Sequence, residues 1–414
     1  MSQIKQSLVV VGNGMAAGRL LTEMQAYDLS RFQITVIGDE HQGSYNRIML
    51  SSVLARDSIV SDIILKDRNW FDEHGILFHC GQVSEIDRTC QHVVCEDGTR
   101  FSYDKLVIAT GSRSAKIPAD NQQLKGIYSF RSIADTEQII DQAQQTKHAL
   151  VVGGGLLGLE AAYGLAKRGV EVTLVHRSGW LLNRQLDEAA ARLLQRQMES
   201  LGIRFALRNE VVEFCGAANL SGAKLKDGQQ LSVELAIIAT GITPNAELGL
   251  SAGLLGDRAI QVDDYMLTSD PNISALGENV EHRGKTFGLV APIWEQAKVL
   301  AGRLSGQATF AFENQPVATK LKVSGIQLFS AGEIEEAPNQ QSLLLHDEAA
   351  GIYRKLILEE NRVKGIVLFG DVASGQFYFD LMQREVSVEA ILPGLIFGEV
   401  FLEKDIVRDL LSAA

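Results

Sequence analysis

The sequence predicts an α/β protein with two similar β-loop-α units and a C-terminal α+β domain. Each unit has a glycine-rich loop that follows a β-branched apolar run and precedes a helical pattern, in SLVVVGNGMAAGRLLTEM and HALVVGGGLLGLEAAYGLAKRG. Each unit is closed further along by an apolar strand ending in Ala-Thr-Gly, in DKLVIATGS and ELAIIATGITPN. One glycine loop alone could be a tight packing turn, but two complete units with the same closure disfavour that interpretation.

Length and composition fit a globular protein of several domains. The 414 residues exceed the prior of about 150 per domain, so we expect two or three domains. A net charge of -12 disfavours nucleic acid as a partner. The run AILPGLIFGEVFL is shorter than the roughly 20 residues that cross a bilayer, and it contains Glu399. Since the N-terminus leads directly into a glycine turn rather than a signal peptide, we expect a cytoplasmic protein without a membrane partner.

The first loop has the small residues that a dinucleotide-binding turn needs. Gly12 permits the tight turn, Gly14 lets the backbone approach a pyrophosphate, and Ala17 allows close packing of helix on strand. The phosphates would then lie at a helix N-terminus. The next strand, FQITVIGDE, ends in Asp39, which is placed to accept hydrogen bonds from an adenosine ribose and so fits FAD. The alternative is that Asp39 is only a solvated charge at a strand end.

The second loop repeats this arrangement and predicts a site for NAD(P)H. The loop residues expected to contact that nucleotide are Gly153, Gly155, Leu156, Leu157 and Gly158.

The strand after the second loop, VEVTLVHRSG, ends differently from the first. It has His176 and Arg177 where an NAD-selective site usually has an acid about 20 residues after the loop. Arg177 can donate a charge-assisted pair of hydrogen bonds to a phosphate, and Arg184 on the following turn could reach the same group. We therefore predict a site that tolerates or prefers NADPH. The alternative is a solvated arginine pair in a site that still accepts NADH.

From about Lys320 the residue pattern is different. It predicts strands on either side of a hairpin turn at EENR, followed by a final apolar helical stretch. SGQATFAFENQP is the predicted linker before this region. The predicted domains are an FAD-binding domain over 1–113 and 241–312, an NAD(P)H-binding domain over 114–240, and an α+β interface domain over 316–414.

The cysteines are predicted to be structural. No C-x-x-C pair occurs among the four cysteines, which are Cys80, Cys90, Cys95 and Cys215, so no metal is expected. CQHVVC has the C-x4-C spacing of a redox dithiol, but it is predicted to form a strand. In a strand its sulfurs would face opposite sides, roughly 16 Å apart at about 3.3 Å per residue, which excludes a disulfide.

These motifs resemble the two-dinucleotide flavoprotein reductases of the glutathione-reductase structural class. The likeness is closest to ferredoxin or rubredoxin reductases and to the flavin half of assimilatory nitrite reductase large subunits. It covers nearly the whole chain, and the segments that point most specifically to the nitrite reductase branch are SDPNISALGE, GLVAPIWEQA, and TKLKVSG with YRKLILEENRVKGIVLFGD.

The resemblance implies that FAD accepts a hydride from NAD(P)H and that electrons pass to a separate redox protein. The acceptor would be a nitrate or nitrite reductase component, rubredoxin or a ferredoxin-like iron-sulfur protein. A homodimer and a monomer are both open. The alternative function is a nucleotide-binding sensor or interaction protein of the apoptosis-inducing-factor type.

The resemblance also implies roles for individual residues. Glu278 matches the acid that holds the flavin ribitol, and Glu160 matches a carboxylate near the nicotinamide, the candidate catalytic residue. Val290 would lie near the flavin ring, with a helix starting beyond Pro292. The other residues expected to contact a cofactor are Arg47 and Arg131 near the flavin nucleotide, Val83 at the adenine, and Thr110, Gly111 and Gly241 of the two Ala-Thr-Gly turns.

Three departures from the family pattern narrow the function. Ser52 stands where many ferredoxin reductases have a lysine that pairs with the counterpart of Glu160. GSYNRIML contains no cysteine, which disfavours peroxide reduction and water-forming oxidase activity. The sequence also lacks iron-sulfur and siroheme modules, so we expect that it cannot reduce nitrite unaided.

Overall fold

The structure is a computed structural model that describes residues 5–27, 31–307, 309–321, 323 and 325–412. Two compact units divide the chain. Unit 1 contains residues 1–50, 58–114 and 242–314, and unit 2 contains residues 51–57, 115–241 and 315–414. The predicted boundaries of three domains stay a prediction.

The helices and strands of residues 5–114 are β1 Gln6–Val11, α1 Met15–Met24, β2 Phe32–Gly38, β3 Ser44–Tyr45, α2 Leu50–Leu54, α3 Val60–Ile63, β4 Ile64–Lys66, α4 Arg68–Glu73, β5 Leu77–Cys80, β6 Val83–Asp87, β7 His92–Cys95, β8 Arg100–Ser102, β9 Lys105–Ile108 and β10 Ser112–Ser114. Those of residues 115–241 are β11 Ile127–Tyr128, α5 Ile133–Ala143, β12 His148–Val152, α6 Leu156–Lys167, β13 Glu171–His176, α7 Glu188–Ser200, β14 Ile203–Leu207, β15 Val211–Cys215, β16 Gly222–Leu225, β17 Gln230–Leu231 and β18 Leu235–Ile238.

Residues 242–314 form β19 Ile242–Pro244, α8 Glu247–Ser251, β20 Ile260–Gln261, β21 Ile273–Ala275, β22 Val280–His282, β23 Lys285–Thr286 and α9 Val290–Leu304. The remaining elements are β24 Leu328–Gly332, β25 Gln341–Asp347, β26 Ile352–Glu359, β27 Arg362–Phe369, α10 Gly375–Gln383, α11 Leu392–Leu395 and α12 Lys404–Ser412.

A parallel sheet forms the centre of unit 1, with strand order β21-β9-β1-β2-β5. Its two central strands β1 and β9 contain continuous apolar runs, as expected for the interior of a parallel sheet. Leu8, Val9 and Val10 of β1 are fully buried. The first glycine loop follows β1, the central strand, so the loop lies at the carboxyl edge of the sheet, where such folds bind ligands.

Unit 2 contains a second parallel sheet of the same kind, the three-stranded antiparallel sheet β15-β16-β17 and, after residue 315, a four-stranded antiparallel sheet. The parallel order is β11-β18-β12-β13-β14, with the second glycine loop following the central strand β12. The four-stranded sheet has order β24-β27-β26-β25 and packs against α10. The predicted hairpin turn at EENR is confirmed: Glu359 pairs with Arg362, and Glu360 and Asn361 both have positive φ, as in a type I′ turn.

The predicted fold class, two Rossmann-like α/β sheets followed by an α+β domain, is therefore confirmed. No described helix combines the length and the apolar character that crossing a bilayer requires.

Candidate nucleotide sites

The first glycine loop has a backbone that only glycine allows. Gly12 has a φ of 109°, and a Cβ atom there would lie 2.2 Å from the carbonyl oxygen of Ala109. Gly14 is the N-cap of α1, and Ala17 is fully buried in that helix. The first turn of α1 therefore presents its backbone N–H groups beside the loop, which is the arrangement that binds a pyrophosphate.

The second loop has nearly the same geometry. Gly153 has a φ of 120°, and a Cβ atom there would lie 2.2 Å from the carbonyl oxygen of Ala239. A Cβ on Gly158 would lie 1.9 Å from the carbonyl oxygen of Gly153. Gly155, the N-cap of α6, has no atom within 4 Å of its Cβ position. Gly153 and Gly158 are thus required by packing, while Gly155 leaves open space for a ligand.

Leu156 and Leu157 begin α6 and are partly buried. Gly241, in the Ala-Thr-Gly turn after β18, has a φ of 124°. These three predicted contact residues therefore lie on elements that border the second loop or follow the neighbouring strand.

Two acidic residues follow β2, and the structure distinguishes them. Asp39 is exposed, whereas Glu40 is half-buried and forms a salt bridge with Arg47. The Tyr45 hydroxyl donates to Glu40 at 2.5 Å, and Arg47 donates to the Tyr45 hydroxyl at 2.7 Å. Arg47 Nε is 3.9 Å from the Cβ position of Gly14, so this group borders the first glycine loop. Sequence reasoning chose Asp39 and missed Glu40.

The first Ala-Thr-Gly turn is fixed by hydrogen bonds within unit 1. Thr110 Oγ1 donates to the Asn245 carbonyl at 2.6 Å, and Asn245 Nδ2 donates to the Thr110 carbonyl at 3.0 Å. Gly111, with a φ of 65°, leads into β10, where the Ser112 hydroxyl donates to Glu278 Oε2 at 2.6 Å. The predicted ribitol acid is thereby held near the carboxyl end of β9.

Three buried amides that the sequence did not single out belong to the same unit. Asn13 lies between the loop glycines, and neither its Nδ2 nor its Oδ1 has a hydrogen-bond partner among the described residues. Asn279 Oδ1 and Gln296 Nε2 are likewise buried and unpaired within that part of the chain. Buried polar atoms normally have partners. Polar atoms of a bound FAD would supply partners beside the loop, so the residues present fit this cofactor.

The segment 177–184 that follows β13 contains Arg177 and Arg184 and is called the basic turn. His176, at the end of β13, is held by hydrogen bonds with the second loop and with this turn. The Gly154 N–H donates to His176 Nδ1 at 3.1 Å, and His176 Nε2 is 3.3 Å from Asn183 Oδ1. This pattern requires an unprotonated Nδ1 and a proton on Nε2. Burial lowers the pKa of His176; the hydrogen bond with Asn183 opposes this shift and the charge of Arg177 adds to it, so the ring is neutral at pH 7. Arg177 and Arg184 are exposed.

Glu160 is buried in the second turn of α6. The segment 51–57, which contains the partly buried Ser52, packs on the same helix. A Cβ on Gly164 would lie 2.8 Å from Leu54, and Arg168 donates to the Leu54 carbonyl at 2.6 Å. Segment 51–57 is therefore close to the helix of Glu160, and the role of Glu160 near a nicotinamide stays a prediction.

The remaining predicted residues lie on defined elements. Val83 is buried at the start of β6, and Arg131 donates its backbone N–H to Asp135 just before α5. The expectation that a helix starts beyond Pro292 is wrong: α9 begins at Val290 and includes Pro292 in its first turn. Proline is tolerated there because the N–H groups of a first turn have no intrahelical acceptor.

The strand predicted for CQHVVC is partly wrong. Cys90 lies in the turn between β6 and β7, where Asp87 accepts hydrogen bonds from Thr89 and Cys90, and only Cys95 is in a strand. All four cysteines are free.

Within the part of the chain that the structure describes, one group of side chains could bind a metal ion. His79, Cys95 and Asp97 each bring a ligand atom within 4.8 Å of the others, and His79 Nε2 is 3.6 Å from Asp97 Oδ2. Sequence reasoning missed this group because its members are not spaced as a motif. The expectation of no metal stays a prediction.

Comparison with known proteins places the chain in a family. Residues 6–298 match the model of the pyridine nucleotide-disulphide oxidoreductases, and residues 316–386 match that of the rubredoxin NAD+ reductase C-terminal domain. The assimilatory nitrate reductase electron transfer subunit of Bacillus subtilis is 41% identical over 387 residues, covering 93% of this chain and 50% of that protein. The chain thus spans about half the length of the first curated relatives that it matches.

Solved structures agree with this result. NADH:rubredoxin oxidoreductase from Clostridium acetobutylicum is 25% identical, with a TM-score of 0.77 over 95% of this chain and 100% of that one. Putidaredoxin reductase in its covalent complex with putidaredoxin has the same fold, with a TM-score of 0.86, 23% identity and 99% coverage of both chains. The predicted resemblance and the predicted oxidoreductase class are confirmed. The chain therefore belongs to the pyridine nucleotide-disulphide oxidoreductase family.

Proposed function

We propose that this protein is an FAD-dependent NAD(P)H oxidoreductase that passes electrons to a separate redox protein. The observation that carries the proposal is the presence of two glycine loops with matching backbone geometry, each at the carboxyl edge of its own parallel sheet. Two dinucleotides can then bind, one to each sheet. FAD when bound would supply the hydride acceptor, and the reduced nicotinamide would supply the hydride.

FAD is assigned to the loop of unit 1. The supporting evidence is the acidic end of β2 at Asp39 and Glu40, the position of Glu278 against Ser112, and the amide of Asn13, which has no partner among the described residues. Carboxylates accept hydrogen bonds from sugar hydroxyls, and the N-terminus of α1 favours phosphate.

The nicotinamide nucleotide is assigned to the loop of unit 2, with NADPH tolerated or preferred. His176 is neutral and already accepts a hydrogen bond from Gly154, so it cannot replace the acid that would hold a ribose diol and repel a 2′-phosphate. Arg177 is exposed and can donate to a phosphate. Glu160 would orient the nicotinamide from α6.

The acceptor is a separate redox protein. We infer a nitrate or nitrite reductase component from the relative named as an electron transfer subunit of nitrate reductase. Rubredoxin or a ferredoxin-like protein are the other candidates, because the C-terminal segment matches a rubredoxin reductase domain. Four free cysteines suit a reducing compartment, so we also propose a cytoplasmic location. A homodimer stays an open prediction.

Anaerobic reduction of the purified flavoprotein tests this function. Addition of NADPH or NADH should bleach the oxidised flavin band, and addition of nitrate reductase component, rubredoxin or ferredoxin should restore it. If neither nucleotide bleaches the flavin, a sensor or interaction protein is favoured instead.

A matched variant separates this activity from disulfide reduction. Replacement of Cys80, Cys90, Cys95 and Cys215 by alanine or serine should leave nicotinamide-driven dye reduction unchanged in protein that retains FAD. Loss of that activity with FAD still bound would show that a thiol takes part in turnover.

A further inference from the structure

The turn after β13 is approached by a third arginine, Arg208, from the neighbouring strand. β13 and β14 are parallel and in register, with His176 opposite Leu207. Both strands therefore end at the same edge of the sheet, and the residue that follows β14 lies beside the basic turn. The Arg208 N–H donates to the Ser178 carbonyl at 3.0 Å, and the Asn209 N–H donates to the His176 carbonyl at 3.1 Å.

The side chain of Arg208 lies over Gly179. A Cβ atom on Gly179 would be 3.1 Å from Nη2, 3.2 Å from Nε and 3.3 Å from Cζ of Arg208. The guanidinium can approach the turn this closely because residue 179 has no side chain. Arg208 has a φ of 55°, a left-handed conformation that is uncommon for a residue other than glycine, asparagine or aspartate. The distances to Gly179 place this side chain at the turn.

None of the three arginines at this turn is neutralised. Arg177, Arg184 and Arg208 are exposed and form no ion pair with any acidic side chain of the described residues. Other arginines of the same sheet and of α7 do have partners: Arg192 with Glu188, Arg196 with Glu348, and Arg204 with Glu171. The turn thus combines three arginines that have no acidic partner among the described residues, and their positive charge favours an anion there.

We infer that Arg208, together with Arg177, binds the adenosine 2′-phosphate of NADPH and sets the preference for that nucleotide. This inference rests on the proposed nucleotide site of unit 2. A guanidinium held over the turn provides charge-assisted hydrogen bonds to a phosphate, whereas it has no acceptor for the proton of a 2′-hydroxyl. Neither a motif nor the spacing along the chain indicates Arg208, because strand pairing brings it to the turn.

Equilibrium binding of two adenine nucleotides to the FAD-loaded protein tests the inference without turnover. Isothermal titration compares adenosine 2′,5′-bisphosphate, which carries the 2′-phosphate, with 5′-AMP, which lacks it. We expect wild-type protein to bind the bisphosphate more tightly. Arg208→Asn should weaken bisphosphate binding about ten-fold or more, because charge-assisted hydrogen bonds are lost, and should change 5′-AMP binding less than about two-fold.

Matched variants make the result specific. Arg208→Asn keeps a residue that tolerates positive φ, so the backbone is retained. Arg204→Asn removes an exposed arginine of the same strand that is paired with Glu171, and it should leave both affinities unchanged. Arg208→Lys keeps the charge without the planar fork and should give an intermediate loss.

Two outcomes overturn the inference for different reasons. If wild-type protein discriminates between the nucleotides and Arg208→Asn retains the full ratio, Arg208 reads no phosphate although the proposed site stands. If wild-type protein binds both equally, the proposed preference for NADPH is itself wrong. Flavin bleaching by NADH would still show whether the oxidoreductase function holds.

Discussion

The two glycine loops share one backbone and differ in the side chains that follow the next strand. Gly12 and Gly153 have φ values of 109° and 120°, and a Cβ on either would lie 2.2 Å from the carbonyl oxygen of an alanine in the neighbouring Ala-Thr-Gly turn. After β2 the chain has the acids Asp39 and Glu40, whereas after β13 it has a neutral histidine and arginines. The glycines thus indicate where a pyrophosphate fits. The side chains after the next strand indicate which kind of dinucleotide each loop favours.

The two strand ends are also anchored differently. In unit 1, Glu40 is held locally by Arg47 and Tyr45. In unit 2, the segment after the basic turn ends at the buried Asp187, which accepts hydrogen bonds from Tyr353 at 2.5 Å and Lys355 at 3.0 Å. Both partners belong to β26, so the segment that follows β13 is anchored to the C-terminal sheet.

The largest expected effect separates glycines required by packing from those left open for a ligand. Gly158→Ala places a methyl group 1.9 Å from the Gly153 carbonyl oxygen, and we expect a cost of about 5 kcal/mol or more in the free energy of unfolding. Gly155→Ala should be folded normally but bind NADPH more weakly, because its methyl group would occupy the open space. Thermal unfolding and nucleotide titration of both variants check this, and equal stability of the two would contradict it.

The second effect tests the anchoring of the basic turn. Asp187→Ala leaves the Lys355 ammonium buried without its carboxylate and removes the N-cap of α7, so we expect a loss of about 3 to 5 kcal/mol in the free energy of unfolding. Burial, which raises the pKa of Tyr353, persists in this variant, so the phenol stays protonated and provides no anion for Lys355. Denaturant unfolding gives the measurement.

A second ion pair between α7 and the C-terminal sheet region supplies the control. Arg196 and Glu348 are both mainly exposed, so Glu348→Gln should cost less than about 1 kcal/mol. A loss as large as that of Asp187→Ala would show that the contact between the elements matters more than the burial of the charge.

Sequence reasoning found the features that depend on neighbours in the chain. The loops, the Ala-Thr-Gly turns and the EENR hairpin follow from local rules for glycine, strand and turn residues, and the structure contains all of them. A sequence pattern cannot distinguish Asp39 from Glu40, because both follow the same strand. Only the contact with Arg47, seen in the folded protein, separates the two. Sequence reasoning missed Arg208 because register between β13 and β14 is a property of the folded sheet.

A third, smaller effect tests whether Asp39 or Glu40, the two acids after β2, contributes more to FAD binding. Glu40→Gln should weaken FAD retention, because a half-buried carboxylate beside the first loop is lost, with each lost hydrogen bond to a charged group costing about 1.5 to 3 kcal/mol. Asp39→Asn should have the larger effect if the exposed acid is the one that contacts the ribose, as the sequence predicted. Flavin content after dialysis and the affinity of the apoprotein for FAD decide between them, and no loss in either variant would contradict the assignment of FAD to unit 1.

The smallest effect concerns the neutral histidine that replaces an acid in unit 2. Because burial lowers the pKa of His176, the unfolded chain takes up a proton near the ordinary pKa of 6.5, and the folded protein does so only at lower pH. The unfolded state then binds more protons than the folded state in this window, so stability falls as pH decreases below about 6.5. His176→Asn keeps an acceptor for the Gly154 N–H but cannot titrate, so its stability should decrease less between pH 7 and pH 5 than that of the wild type. Thermal unfolding across this range is the measurement, and parallel pH profiles for the two proteins would show that His176 does not carry this dependence.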